Sequence, residues 1–149
     1  MEKADYFIRF PAFQRAPMLS SNSEFSLLAR EMNWKKDSRR YRKERANFLA
    51  SEFNIYYGSN ATKLENWQAL CVELDISDSI GSITQCRKAL GNVHVNLVDL
   101  VDCRRNGQTA RRFPSVAALQ KYTKKTDKIF PRSAAKEDGF LKALLRVIY

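Results

Sequence analysis

The stretch DSRRYRKERANFLASEFNIYYG, residues 37–58, lies in the first half of a chain of 149 residues. Tyr41, Phe48, Leu49, Phe53 and Tyr56 recur in it close to a 3.6-residue period. That spacing stacks side chains on one face of an α-helix. The helix is expected to begin near Asp37 or Ser38 and to stop at Gly58, a residue suited to the backbone turn that ends helices. Its first turns are strongly basic. With Trp34–Lys36 ahead of it, the run WKKDSRRYRKER holds seven Lys and Arg against Asp37 and Glu44. On a helical projection Lys36, Arg39, Arg40 and Lys43 fall at i, i+3, i+4 and i+7 and share one face, nearly opposite the apolar stripe. Arg42 and Arg45 fall nearer the core side, where Glu52 or another acid would pair with them. The basic face is either a solvated helix surface or a surface that docks on phosphates.

Working outward, the same periodicity recurs. SNSEFSLLAREMNW opens with polar cap residues and spaces Phe25, Leu28, Ala29 and Met32 as a helix. TKLENWQALCVEL starts with Thr62 and places Glu65 three residues on, the capping-box pattern, ahead of Trp67, Leu70, Cys71 and Leu74. SITQCRKALGNV repeats the device with Ser82 and Gln85 and stops near Gly91. VNLVDLVDCRRNG is rich in valine, but Asn96 as a cap and the distance to Gly107 favour a short helix. PSVAALQKYTKK starts at Ser115, with Val116, Leu119 and Tyr122 or Thr123 turned inward. SAAKEDGFLKALLRVIY places Phe140, Leu141, Leu144, Leu145 and Ile148 on one side. No pair of strands with a hairpin turn between them is visible. The expected fold is all-α: a compact single-domain bundle of six to seven short helices, residues 23–149. An extended N-terminal arm, residues 1–22, precedes it. In the arm, Pro11 and Pro17 push their predecessors to extended geometry. Its Phe7, Phe10 and Phe13 either pack on the body or are held out for a protein partner.

With 44% hydrophobic and 28% charged residues, the composition is that of a globular chain. The sequence reads as soluble: MEKADYFIRF lacks the apolar centre of a secretory signal, and no apolar run approaches the ~20 residues that span a bilayer. Nucleus or cytoplasm is the expected location, and three widely spaced cysteines are expected as reduced thiols.

The net charge of +10 is unevenly held. Residues 1–34 are balanced, 35–45 carry +5, 46–103 carry −4, 104–128 carry +7, and 129–149 carry +2. In the second basic block Arg104 and Arg105 end a helix, where cations meet the negative dipole end. Arg111 and Arg112 precede the next helix, a geometry that suits an oxyanion. Lys121, Lys124 and Lys125 follow on that helix, with Tyr122 and Phe130 interleaved as candidate stacking surfaces or core. The candidate polyanion-binding residues are therefore Lys36, Arg39, Arg40, Lys43, Arg104, Arg105, Arg111, Arg112, Lys121, Tyr122, Lys124 and Lys125.

Catalytic chemistry is poorly served. His94 is the one histidine, and pairing it with Cys86 or Cys103 and with Asp99 rests on inventory alone. There is no C-x-x-C, no His pair and no phosphate-binding glycine loop, so no metal and no cofactor are expected. Asp99 and Asp102, three apart, read as a surface pair bridged by Arg104 and Arg105.

NWQALC (66–71), SITQCRKAL (82–90), VNLVDLVDCRRNG (95–107) and FLKALLRVIY (140–149), with FPAF (10–13) and YTKKTDKIFP (122–131), resemble an uncharacterised family of small helical proteins from filamentous fungi. The resemblance implies an intracellular fungal protein with no known enzymatic role, and it carries over no site residues. The expected function is a non-enzymatic module that binds nucleic acid or another polyanion, such as chromatin or an acidic protein surface. The alternative is a protein-interaction adaptor that uses the aromatic arm or a helix groove.

Overall fold

The computed structural model describes residues 6–57, 62–76 and 81–132. Six α-helices dominate them: α1 (Ser21–Glu31), α2 (Arg39–Tyr57), α3 (Leu64–Glu73), α4 (Ile83–Leu90), α5 (Leu97–Asn106) and α6 (Val116–Thr126). The C-terminal amphipathic run with Phe140, Leu141, Leu144, Leu145 and Ile148 lies outside the described residues.

Caps set most of the helix starts. Ser20 accepts from the Ser23 N–H, Ser82 from Gln85, Asn96 from Asp99 and Ser115 from Ala118. Each satisfies a first-turn donor that has no partner within the helix. At α2 the Ser38 hydroxyl accepts from the Tyr41 N–H. At α3 the start differs from the one expected with Thr62 as the cap. The helix starts one residue later, from extended Lys63, which offers no side-chain cap. At the far end of α5, Gly107 takes the left-handed conformation, φ 67°, that Gly tolerates without a Cβ penalty.

α2 is the axis of the fold. It packs against α1, α3 and α5, and α3 packs against α4. Phe48, Leu49 and Phe53 are fully buried on it, as their spacing predicts. At its last turn Tyr56, placed on the stripe by its spacing, is partly buried against the core, and its neighbour Tyr57 is buried more deeply. On α6 Leu119 and Thr123 face inward, while Val116 is exposed.

One element was not expected. His94–Val95 (β1) and Arg112–Phe113 (β2) form a two-residue antiparallel ladder, with His94 opposite Phe113 and Val95 opposite Arg112. It clasps α5 between its ends and seats α6, which packs on both strands. Two residues fall below any strand-length periodicity, so the sequence carries no signal for it.

The described part of the arm, from Tyr6 on, is folded onto the body and not extended. Tyr6–Arg9 is a 3-10 turn. Two further turns follow, closed by Phe10 N–H to Phe7 O and Phe13 N–H to Phe10 O. Tyr6, Phe7 and Phe10 are buried, and Phe13 is partly buried against the same core. Their rings join Phe25, Trp34, Tyr41 and Phe48 in one aromatic cluster. Phe7 meets Phe48 edge-on at 5.5 Å between centroids, Phe10 meets Trp34 at 5.6 Å, and Phe25 stacks on Phe48 at 5.7 Å. These are the offset and edge-to-face separations that aromatic pairs prefer.

Candidate polyanion-binding groove

Charge is arranged in two ways in this protein: as cations tied down by buried carboxylates, and as cations left without them. The first is largest where α1, α2, α5 and the arm meet. Glu24 and Glu52 are buried side by side. Arg105 reaches both, at 2.8 and 3.3 Å, with a side chain only 2% exposed. Arg15 of the arm bridges both from the other side at 3.0 Å each. The Ala16 N–H adds a bond to Glu24 at 2.7 Å. A second knot lies about two turns earlier on α2. Glu44 accepts from the Tyr6 hydroxyl at 2.5 Å and from Arg9 at 3.1 Å, and pairs with Arg40 at 3.3 Å.

Burial alone pushes both Glu24 and Glu44 towards the protonated form. At Glu24 the bonds from Arg15, the Ala16 N–H and Arg105 outweigh it; at Glu44 those from Tyr6 and Arg9 do. Both carboxyls are held below the usual carboxylate range. A depressed folded value contributes stability that is present above the unfolded pKa of about 4.3 and lost as pH falls through the folded values. Stability should therefore stay level from neutral pH to about 4.5 and then drop, by up to roughly 1.4 kcal/mol per pH unit for each carboxyl. Urea midpoints between pH 7 and pH 2.5 measure this. Glu44→Gln should flatten part of the acid limb. An unchanged limb would mean that Glu44 titrates normally.

The second arrangement is a groove of about 750 Å³. Its walls are the first turns of α1 (Asn22, Ser26), the basic half of α2, and the chain leaving α6 (Thr126–Pro131). Lys36, Arg42, Lys43 and Arg45 line it, as do Tyr41, Ala46, Asn47 and two carboxylates, Asp37 and Asp127. Both aspartates hold left-handed turns, φ 65° and 56°, a conformation to which Asp is better suited than most residues. The turn at Asp37 brings Lys36 to the groove.

Arg45 sits at the groove wall with three N–H bonds to neutral acceptors. Nε and Nη2 donate to Asn22 Oδ1 at 3.3 and 3.1 Å, and Nη1 donates to the Ile129 carbonyl at 2.7 Å. It makes no ion pair among the described residues. Two of the five guanidinium N–H groups remain. Burial lowers its pKa, and Tyr41, Asp127 and Asp37 only partly offset that. Arg105 is the internal contrast: there the Glu52 and Glu24 charges overcome burial and the pKa is raised. A half-buried guanidinium with no carboxylate in direct contact, and only Asp127 and Asp37 acting at longer range, is a cation short of an anion.

The predicted site residues divide accordingly. Lys36 and Lys43 come together at the groove, joined by Arg42 and Arg45, which the helical projection assigned to the core side. Arg45 does not reach Glu52, which is taken by Arg15 and Arg105. Lys36 precedes the first residue of α2, so a continuous helical projection does not place it. Arg39 is exposed outside the groove lining, and Arg40 lies over the Trp34 ring at 5.3 Å while pairing with Glu44. Arg104 pairs with Glu73 at 3.2 Å. Arg105, buried on two carboxylates, is a structural cation. Arg111 lies over Phe113 at 4.7 Å; Arg112, Lys121, Lys124 and Lys125 are exposed on β2 and α6. Of the second basic block, residues 104–128, only Thr126 and Asp127 line the groove, so its cations do not join those of the first there.

Tyr122 is engaged. Its hydroxyl donates to Asp99 at 2.5 Å, Lys128 Nζ bonds Asp99 at 2.8 Å and the hydroxyl at 3.0 Å, and its ring packs on Phe113 at 4.8 Å. Phe130 is core. Asp99 and Asp102 are not bridged by Arg104 and Arg105: Asp102 accepts from the Ser21 N–H at 2.8 Å, fixing the start of α1.

Cys71 and Cys86 are buried, and burial with the neighbouring Cys86 pushes the Cys71 thiol up to about 12. Burial, then Asp99 and Asp102, raises Cys103 as well. Thiols so shifted stay protonated and react slowly. Among the described residues no group of three or more His, Cys, Asp or Glu is placed to hold a metal ion, and no helix is long and apolar enough to cross a membrane. Comparison with family models, with curated proteins and with solved structures finds no match for this chain.

Proposed function

We propose that this chain is a non-enzymatic, basic helical module that binds nucleic acid, and that the groove of Lys36, Arg42, Lys43 and Arg45 receives its phosphates. The observation that carries the reading is Arg45. The fold elsewhere gives its buried arginines carboxylate partners, yet here it brings four cations to one concavity and leaves the half-buried one with neutral acceptors alone. A phosphate supplies the missing anion and accepts from a guanidinium fork in the geometry that suits both.

Reversing Arg42 and Lys43 to Glu changes two exposed side chains and removes none of the buried bonds described above. Fluorescence anisotropy of labelled 20-mers should show binding by the wild type that weakens steeply with salt, and a loss of at least tenfold in the double reversal. Circular dichroism should stay helical. Wild-type binding that survives the reversal intact would remove the groove from the function.

A further inference from the structure

Resting on that reading, we infer that the groove takes an unpaired single strand and not a duplex, with a backbone phosphate on Arg45 and an exposed base edge at Asp37 or Asp127. Three features of the lining lead there.

The first is shape. A cavity of about 750 Å³ walled by three chain segments falls in the ~300–1,000 Å³ range of sites that enclose a small molecule. A duplex offers a rigid rod whose phosphates are met by a flat or convex surface, or whose major groove, about 12 Å wide, receives a helix. Its stiffness resists the local distortion needed to lower one phosphate onto a guanidinium held half-buried in a concavity. A flexible strand offers no such resistance.

The second is the charge balance. Four cations share the lining with Asp37 and Asp127. Carboxylates repel phosphate and would weaken a site built only for a backbone. They accept hydrogen bonds from the ring N–H and exocyclic amino groups of bases; the ring N–H groups are free only when a base is unpaired, and in a duplex the amino groups of A and C are reached only by a group inserted into the major groove. A lining that mixes both signs suits a ligand that is anionic along its backbone and rich in donors along its edge.

The third is the mixture of remaining groups. Asn22 has its carbonyl on Arg45, so its amide N–H groups are left to donate. The Ser26 and Thr126 hydroxyls donate to the Asn22 and Tyr122 backbone carbonyls, which leaves their oxygens to accept from base N–H groups, and Tyr41, Ala46, Ile129 and Pro131 offer apolar surface for the face of a base or sugar. The exposed cations of β2 and α6 have no such setting.

The test uses one mixed-sequence 20-mer without self-complementarity, as labelled DNA strand, as RNA strand and as DNA duplex, titrated at two salt concentrations. The expected result is a strand bound at least tenfold more tightly than the duplex. Four phosphate contacts on a single strand give a slope of log Kd against log salt of about 2.8, at about 0.7 per contact. Arg42→Ala with Lys43→Ala should weaken strand binding tenfold or more and reduce that slope by about 1.4. Lys124→Ala with Lys125→Ala, on α6, should change it less than twofold. The DNA and RNA arms identify the sugar that the groove accepts. A duplex bound as tightly as the strand, or an α6 pair as damaging as the α2 pair, overturns the inference and leaves nucleic-acid binding standing. No binding of any of the three at low salt overturns both.

Discussion

Replacing Arg105 by Met should cost about 3–5 kcal/mol of unfolding free energy, the loss expected when one partner of a buried charge pair is removed. Glu24 and Glu52 are both buried, and the structure gives them two guanidiniums, Arg15 and Arg105. Without Arg105 the pair keeps Arg15 alone and the pocket carries an uncompensated negative charge. One carboxyl must then take up a proton, or the arm and α1 must open to water. Either response appears as a lower urea midpoint at pH 7, and proton uptake also makes stability improve on mild acidification, opposite to the wild-type trend. The double change Arg105→Met with Glu52→Gln restores one carboxylate to one guanidinium. It should recover part of the loss, so that the two substitutions together destabilise less than Arg105→Met alone. A double variant that is simply the sum of its parts would mean that Arg105 acts through packing over Phe48, whose ring it approaches at 5.8 Å, and through its bond to the Leu19 carbonyl, and not through the carboxylate charges.

This network marks where the sequence stopped being readable. The helices were legible because each carries its own evidence within a dozen residues: a cap such as Ser82, Asn96 or Ser115, a 3.6-residue stripe, a Gly stop. Glu44 and Glu52 were not. They flank Phe48 at four-residue intervals, so they lie on the same buried stripe, yet acids inside a helix read as solvated by default. Their partners, Arg9, Arg15 and Arg105, come from 35, 37 and 53 residues away. Only the tertiary fold brings them in. Arg105 shows the same limit from the other side. As one of a pair of cations at a helix end it looks like a surface charge, and nothing local says that its neighbour Arg104 points to Glu73 while it points inward. The groove was half legible. The basic run of α2 and its candidates Lys36 and Lys43 stood out by charge density. Arg42 and Arg45 were assigned to the core side because a single helix offers only an apolar and a polar face. The chain leaving α6 makes a third environment between those two.

Deleting residues 1–17 should abolish cooperative folding or lower the melting temperature by tens of degrees. The arm contributes Tyr6, Phe7 and Phe10 to the core. Truncating a single buried aromatic costs about 3–5 kcal/mol, while a whole domain is stable by about 5–15 kcal/mol. Loss of the rings would strip one side of Phe48 and expose Trp34. The electrostatic consequences run the same way: Glu44 would lose the Tyr6 hydroxyl and Arg9 and keep Arg40, and Glu24 and Glu52 would keep Arg105 but lose Arg15. Both buried knots would thus be half undone by one deletion. The shortened chain is best compared with the full chain by thermal circular dichroism, alone and after addition of a peptide of residues 1–17. A peptide that restores helicity would show that the arm is a separable part of the core, held by these contacts. The opposite result is equally concrete. A shortened chain that melts as the full one does, but no longer retains a protein partner in a pull-down, would mean that Phe7, Phe10 and Phe13 spend their time outside the cluster. The adaptor function would then replace nucleic-acid binding as the reading to pursue.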